Sequence, residues 1–414
     1  MDLHHNLFYS YRGPNTDDRD RERQLENNIT KALVNTLRLG GETVWRPFLA
    51  EFGVTDARDA AFLLQRRDLA SGGAAQRRCR VLLGIATHPS QWSPTENAME
   101  AYESIPDAWI YGDGFAVLVE SKVSGDFSDE QMQGHLARLQ STGHSRPAVV
   151  LKTWREVHRF FHQLSSGLTS APALLVQQFI QFLEYSDVSG FNGFRCEHFD
   201  YFLSHDDHDA RLWGRGQMTD FAERVQKQLC KSIPFYSSYD VGTLKQSNSY
   251  CWVAFGPADG KYRKLSHQTI SISSDGLRVF INSELKSATD RIKAVLSQSA
   301  HALRAVLQDL HAYQPFELVL QERKQVQASL YENTPKMRLH SSLLADESVG
   351  GMAWMAFAET VQRIPLPYLC LTRRIPPREL LDLPADDASA AVRIVVEMFE
   401  QNHAVVELLN GTAA

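Results

Sequence analysis

The sequence predicts an α/β fold, with a mixed central sheet flanked by helices, followed by a second domain of α+β type. Three observations carry this expectation. Between Leu25 and Leu164, helix-periodic segments alternate with short apolar runs of strand length. Inside that block, Gly112-Asp113-Gly114 separates two strand-like runs and signals a hairpin. Finally, Ser189-Gly190-Phe191-Asn192-Gly193 interrupts the apolar pattern, which divides the chain into domains 1–190 and 191–414. A chain of 414 residues has room for two packed cores.

Along the first domain, the mixed-charge run Asp17–Arg23 reads as the solvated lead-in to a helix. Leu25, Ile29, Leu33 and Leu37 then fall at i, i+4 spacing and define an amphipathic helix ending before Gly40-Gly41. Residues 55–80 read as a helix followed by a basic turn containing Gly-Gly, Val81–Ala86 as a strand, and Met99–Ser104 as the end of another helical stretch. Asp107–Tyr111 is strand-like, and Phe115–Val119 is the continuous apolar run of a strand buried on both faces. A helix over Asp129–Gln140, a strand over Ala148–Leu151, a helix over Arg155–Leu164 and an apolar helix over 171–186 complete the domain.

In the second domain, strands are expected at Cys251–Phe255, Gln268–Ile272, Leu277–Ile281, Phe316–Leu320 and Tyr368–Thr372. Helices are expected near 217–231, 284–311, 352–363 and 388–409. Ser274-Asp275-Gly276 marks a hairpin.

Composition excludes several classes of function. The net charge of −6, with both halves mildly acidic, argues against a generic polyanion binder. It leaves room for a nuclease, which gathers carboxylates around a metal. No run of about 18 apolar residues exists, so no membrane span is expected. The start, Met-Asp-Leu-His-His, lacks the pattern of a secretory signal, and a cytoplasmic location follows as the expectation. Five cysteines without a C-x-x-C pair indicate free thiols rather than a zinc ribbon or disulfide framework.

One motif carries chemistry. Pro106-Asp107, twelve residues, then Glu120-Ser121-Lys122 spells PD-x12-E-x-K. Phosphodiester hydrolysis needs a divalent cation held by hard oxygen ligands, plus a group that handles the attacking water. Hairpin pairing brings Asp107 and Glu120 to one end of the sheet, and Lys122, two residues on, points to the face of Glu120. Its ammonium is then placed to orient or deprotonate water, or to offset charge developing on phosphate.

With these residues, the stretch from about 20 to 165 resembles the PD-(D/E)XK, or restriction-endonuclease-like, nuclease superfamily. The resemblance implies that fold for the first domain, with Asp107 and Glu120 as the metal-binding acids and Lys122 as the catalytic lysine. It adds Glu26, matching an acid that many members carry on the first core helix. It also adds Gln131, matching a glutamine on the helix after the motif in Mrr-like and RecB-like members. The chain departs from RecB-like members in having His135, not a tyrosine, one turn after that glutamine. The implied activity is a Mg²⁺-dependent (or Mn²⁺-dependent) endonuclease acting on nucleic acid, with DNA ahead of RNA. By analogy it serves in restriction or anti-phage defence, with a homo-oligomer or a defence-complex protein as partner. The alternative is a non-catalytic nucleic-acid-binding or scaffold subunit that keeps the fold. The second domain would select substrate, sense a signal or bind a partner; it carries neither a P-loop nor G-x-G-x-x-G.

Several other groups receive plainer readings. Glu284-Leu285-Lys286 is expected in the first turn of a helix capped by Asn282 or Ser283, and Glu322-Arg323-Lys324 at a solvated strand end. Asp113 is a turn residue, and His205–Asp209 a hydrated loop. Arg77, Arg78 and Arg80 belong either to an exposed turn or to a phosphate contact. Met352–Phe357 is helix core, and the face carrying Gln131 and His135 borders either the site or water.

Overall fold

The computed structural model describes residues 6–8, 18–69, 73–94, 104–140, 145–200, 208–242, 250–327, 330–383 and 389–411. The chain divides into two compact units, Met1–Asn192 and Gly193–Ala414. Most of Met99–Ser104 and part of His205–Asp209 lie outside the described residues. Side chains are described only from residue 24 within the first helix.

In the first unit the elements run α1 (Asp18–Gly40), α2 (Glu42–Glu51), β1 (Ala61–Leu64), β2 (Cys79–Ala86), β3 (Ala108–Gly112) and β4 (Phe115–Lys122). They continue as α3 (Asp129–Leu139), β5 (Ala148–Thr153), α4 (Trp154–Ser165) and α5 (Ser170–Tyr185). The five strands form one mixed sheet in the order β1-β3-β4-β2-β5. The β1–β3 and β3–β4 pairs are antiparallel; β2 runs parallel to both β4 and β5.

Helices cover both faces, so the central strands are buried throughout. Val81, Leu83, Val117 and Val119 pack against Ile29, Leu33 and Leu37 of α1 and against α2, α4 and α5. Leu82, Trp109, Ala116 and Leu118 point the other way, to Met132, Leu136 and Leu139 of α3. This is the period-2 alternation of a sheet between two helical layers. Local signals agree at the helix starts. Ser128 caps α3, accepting from Gln131 N, and Thr153 with Glu156 makes a capping box on α4.

The segment 55–80 departs from the helical expectation. Ala61–Leu64 is an edge strand registered Ala61↔Tyr111 to Leu64↔Ala108, and among the described residues one helical turn follows, at Ala74–Gln76. The apolar run Ala60–Leu64, bounded by Asp59 and Gln65, is too short for a packed helix, and pairing with β3 satisfies the backbone groups of Ala61–Leu64. Gly40-Gly41 does end α1, but α2 starts directly after it; Gly41, at φ 72°, makes the break in the left-handed region that glycine tolerates.

The second unit comprises α6 (Cys196–Asp200), α7 (His208–Ser232), β6 (Ser238–Val241), β7 (Tyr250–Gly256), β8 (His267–Ser273) and β9 (Gly276–Ser283). After them come α8 (Lys286–Gln298), α9 (Ala300–Tyr313), β10 (Glu317–Gln327), β11 (Leu330–His340) and α10 (Ser341–Ala345). The unit ends with α11 (Gly350–Arg363), β12 (Pro367–Ile375), α12 (Pro377–Leu381) and α13 (Ser389–Asn410). Its seven strands form an antiparallel sheet in the order β11-β10-β12-β9-β8-β7-β6. Ile281, Leu318, Leu320 and Leu371 pack on one face against α8, α9, α11 and α13. Trp354 and Phe357 lie inside that core, as Met352–Phe357 predicts, while Met352 and Met355 face outward.

Two smaller readings are corrected. Glu284 precedes α8 rather than opening it, because β9 continues through Ser283, whose hydroxyl bonds Ser266 Oγ at 2.7 Å instead of capping a helix. Arg323 is not at a solvated strand end, because β10 continues to Gln327 and Arg323 pairs with Glu284 at 2.9 Å.

Candidate active site

The register of the hairpin sets the site. Ala108 pairs with Val119, so Asp107 and Glu120 sit one step beyond the last pair, on adjoining strand ends. Asp107 Oδ2 accepts from Ser121 N at 2.8 Å and from Ser121 Oγ at 3.0 Å. Thr30 Oγ1 on α1 lies 2.6 Å from the same Ser121 hydroxyl. Thr30 Oγ1 also donates to the Glu26 carbonyl at 3.1 Å, and the contact between the two hydroxyls ties α1 to the strand end that holds the carboxylate.

Glu120 is 1 % exposed and is the most heavily bonded acid of the group. Its Oε1 accepts from Lys122 Nζ at 3.1 Å and from Gln131 Nε2. Its Oε2 lies 3.0 Å from His135 Nε2. Lys122 Nζ also donates to Glu26 Oε1 at 3.0 Å, so one ammonium bridges carboxylates from α1 and β4. Trp154 Nε1, at the start of α4, holds the Lys122 carbonyl at 3.2 Å and fixes the end of β4. The structure thus brings Glu26, Asp107, Glu120, Lys122 and Gln131 to one end of the sheet.

Crowding of like charge shows in the electrostatics. Burial, then the charge of Glu120, pushes the Asp107 carboxyl up to about 7; Glu26 adds to the rise, and the two Ser121 bonds oppose it. Burial acts to lower the Lys122 pKa, but Glu120 and Glu26 together outweigh it and hold the ammonium above its ordinary value. Lys122 therefore keeps its proton at neutral pH.

Among the described residues, no three His, Cys, Asp or Glu side chains are grouped closely enough to hold a metal by themselves. The donor set nonetheless suits a hard divalent cation. Two carboxylates, Glu26 and Glu120, share one ammonium, Asp107 sits on the adjoining strand end, and Mg²⁺ is commonly held by one or two carboxylates with water completing its shell. Asp107 and Glu120 are the residues that would hold it.

The sequence left one feature of this corner open and hid another. His135 is fully buried against Glu120, so its helix face borders the site and not water. The signal was its position one turn beyond Gln131. The Thr30–Ser121–Asp107 relay left no signal beyond the variable middle letter of Glu-Ser-Lys. Other groups play no part here. Arg80 is buried and donates to the carbonyls of Leu139 at 3.0 Å and Ala75 at 3.3 Å, which settles it as a structural residue, neither an exposed turn nor a phosphate contact. Asp113 is an exposed turn residue, with its backbone N–H bonded to Asp59 Oδ1 at 3.0 Å.

No helix among the described residues is long and apolar enough to cross a membrane. No protein-family model matches this chain, and no curated protein matches it significantly.

Proposed function

We propose that residues 1–192 are a metal-dependent endonuclease domain of the PD-(D/E)XK, restriction-endonuclease-like kind, hydrolysing phosphodiester bonds in nucleic acid, with DNA the first substrate to test. The observation that carries this reading is the meeting of Asp107, Glu120 and Lys122 at the open end of a β-hairpin, with Glu26 and Gln131 reaching the same point from two different helices. The helix-flanked mixed sheet supports it as the scaffold.

Asp107 and Glu120 would hold Mg²⁺ or Mn²⁺, which would supply charge neutralisation at the scissile phosphate. The remaining chemistry belongs to the chain. Gln131 and His135 each grip one oxygen of Glu120 and hold the carboxylate in one orientation. Ser121 does the same for Asp107. Lys122, protonated and two residues from Glu120, orients the incoming water and offsets the charge that builds on the phosphate as the new P–O bond forms and the bond to the leaving sugar oxygen breaks. Its raised pKa favours this role over that of a general base. By the same analogy with Mrr-like nucleases, the biological setting we propose is restriction or phage defence in the cytoplasm.

One observation favours the second reading, a non-catalytic nucleic-acid-binding scaffold. Glu120 already accepts three hydrogen bonds, two at Oε1 and one at Oε2, which leaves a metal about one free lone-pair site on this carboxylate. Incubation of supercoiled and linear DNA with the full chain in Mg²⁺, Mn²⁺ or EDTA separates the two. Metal-dependent cleavage that disappears in Lys122→Ala supports the nuclease. DNA binding without cleavage in either metal supports the scaffold.

A further inference from the structure

The five-stranded sheet of the first unit ends, beside Asp107 and Glu120, in two unlike flanks. One is the chain that leaves β1. Gln65 N donates to the Asp107 carbonyl at 2.9 Å, which continues the β1–β3 pairing one step past Leu64↔Ala108. Gln65 Nε2 donates to Asn27 Oδ1 on α1 at 2.9 Å, and the Arg66 carbonyl accepts from Trp109 Nε1 at 2.9 Å. Trp109 belongs to the face covered by α3, so residues 65 and 66 bend round the end of the sheet from the α1 side to the α3 side. Gln65, Arg66 and Arg67 are all exposed along this bend.

The backbone of the bend is strained. Gln65 has φ 47°, a left-handed conformation that residues with a Cβ resist. Strain of this kind persists where surrounding bonds over-determine it, and it clusters at functional sites. Here bonds to Asp107, Asn27 and Trp109 fix the bend next to a candidate metal ligand.

Its charge is positive. The bond to Trp109 uses only the main chain of Arg66, and among the described residues its guanidinium has no ion-pair or hydrogen-bond partner. Burial lowers the Arg138 pKa; Asp68 opposes that fall and the charge of Arg67 adds to it, so these cations share one neighbourhood. Arg138 Nη1 lies 3.2 Å from His135 Nδ1, which carries the positive field to the group that grips Glu120. On the neighbouring chain, two residues before Asp107, Ile105 is 55 % exposed.

The other flank lies beyond β4, towards β2. Ser90 Oγ, after β2, donates to Asp126 Oδ1 at 2.5 Å, and Trp92 Nε1 donates to Asp129 Oδ1 at 2.9 Å. The chain from β4 to α3 is fastened on that side. It exposes Asp126, Asp129 and Glu130 and has no Lys or Arg between Lys122 and Arg138. Exposed carboxylates repel a phosphate backbone.

We propose that the bend at 65–67, with Ile105 on the neighbouring chain, is the rim over which a polynucleotide strand leaves the site. Arg66 takes a backbone phosphate next to the scissile one, since a guanidinium matches phosphate oxygens in pairs. Ile105 gives apolar contact to the sugar and base beyond it, and the acidic flank turns the strand away from β2. Contacts of this kind set the register of the strand on the protein. The proposal rests on the nuclease reading, because Asp107 and Glu120 define where the scissile phosphate lies.

The test is fluorescence anisotropy of the full chain with a labelled thirty-nucleotide DNA strand and its duplex, in EDTA and in Ca²⁺, over a series of salt concentrations. Arg66→Ala should weaken binding by about threefold to tenfold and lower the slope of log affinity against log salt by about 1, the share of one phosphate contact. Ile105→Ser should weaken binding by about threefold with no change in slope, because its contribution is apolar. Glu130→Gln, on the opposite flank, should shift affinity by less than about twofold. Arg66 and Ile105 are exposed, so their variants should keep the wild-type circular dichroism spectrum. Wild-type affinity and slope in Arg66→Ala overturn the proposal whatever Ile105→Ser does. So does a Glu130→Gln variant that tightens binding as much as Arg66→Ala weakens it, which would lay the strand across both flanks. Absence of DNA binding by the wild type in both buffers overturns it as well. Cleavage in Mg²⁺ or Mn²⁺ judges the nuclease reading separately. Binding that follows these shifts without cleavage sinks that reading and keeps the rim; cleavage with wild-type affinity in Arg66→Ala does the reverse.

Discussion

His135 Nε2 lies 3.0 Å from Glu120 Oε2, and the other ring nitrogen lies 3.2 Å from Arg138 Nη1. A guanidinium only donates, so Nδ1 of His135 accepts, and the proton sits on Nε2, facing the carboxylate. The imidazole is thereby a fixed hydrogen-bond donor to a buried acid, oriented from behind by a residue on its own helix. Removing it strands one oxygen of Glu120 away from water. His135→Ala should destabilise the first unit by about 2–4 kcal/mol, from the lost charge-assisted bond and the space left behind. Urea unfolding checks this. His135→Gln, which keeps a donor, should recover part of the loss; equal losses in both variants would show that the ring serves packing alone.

Asp107 gives the apo protein a pH dependence of definite sign. Its carboxyl is pushed up to about 7 in the folded chain, against an ordinary 3.8. Between these values the folded state holds a proton that the unfolded chain has released. Stability attributable to Asp107 is therefore complete below pH 3.8 and declines as pH rises toward 7, at up to about 1.4 kcal/mol per pH unit. Asp107→Asn should remove that slope and leave the variant more stable than wild type at pH 8 in EDTA. The measurement is the difference between the two proteins' denaturation midpoints from pH 4 to pH 8; a difference that does not change with pH contradicts the assignment.

Lys122 separates charge chemistry from metal holding. While protonated it cannot ligate a cation, so Lys122→Ala should keep Mg²⁺ affinity or raise it slightly, a like charge having gone. Cleavage should fall by about 10²-fold or more, the scale for losing a charge partner in the transition state. Asp107→Ala and Glu120→Ala should lose both metal affinity and cleavage. Metal titration beside a cleavage time course distinguishes the three, and wild-type turnover by Lys122→Ala would remove the motif from the chemistry.

How far these relationships were legible in the sequence depends on how local their cause is. The hairpin was readable because Gly112-Asp113-Gly114 and the apolar run after it specify turn and strand within a few residues. That pairing alone places Asp107 beside Glu120. The burial of His135 depends on how α3 sits over the sheet, a tertiary fact, and its apolar neighbours Met132 and Leu136 gave only the direction of the helix face. β1 was hidden because four residues carry little periodicity, and its partner lies more than forty residues away in sequence. β11 was hidden because Tyr331–Met337 is mostly polar and includes Pro335. It is an edge strand, and the proline sits at a register shift opposite Gln321, where a missing N–H is tolerated.

The two hydrophobic clusters that sandwich the five-stranded sheet draw only on residues of the first unit. Residues 1–192 made alone should therefore fold cooperatively, with a single denaturation transition, and should retain whatever metal-dependent cleavage the full chain has. An aggregated or unstructured fragment would mean that the first unit needs the second in order to fold.

Gly84 connects packing to the site. It pairs with Glu120 across the parallel β2–β4 ladder. A Cβ at this position would lie 2.7 Å from Leu151 Cδ2 and 3.0 Å from Phe127 Cζ, closer than packed carbon atoms approach. Phe127 immediately precedes Ser128, the cap of α3, and α3 delivers Gln131 and His135 to Glu120. Adding one methyl group therefore presses on the ring that seats this helix. Gly84→Ala should cost about 1–3 kcal/mol, the scale of overpacking a filled core. It should also reduce cleavage at temperatures where the protein remains folded, because the two donors move off Glu120. Phe127→Leu relieves the Phe127 side of the collision but not the closer contact with Leu151, so the double variant should recover part of the stability that Gly84→Ala loses. A double-mutant cycle reads the coupling directly. Strictly additive losses would mean that Phe127 does not transmit the strain, and that α3 is seated by Met132, Leu136 and Leu139 alone.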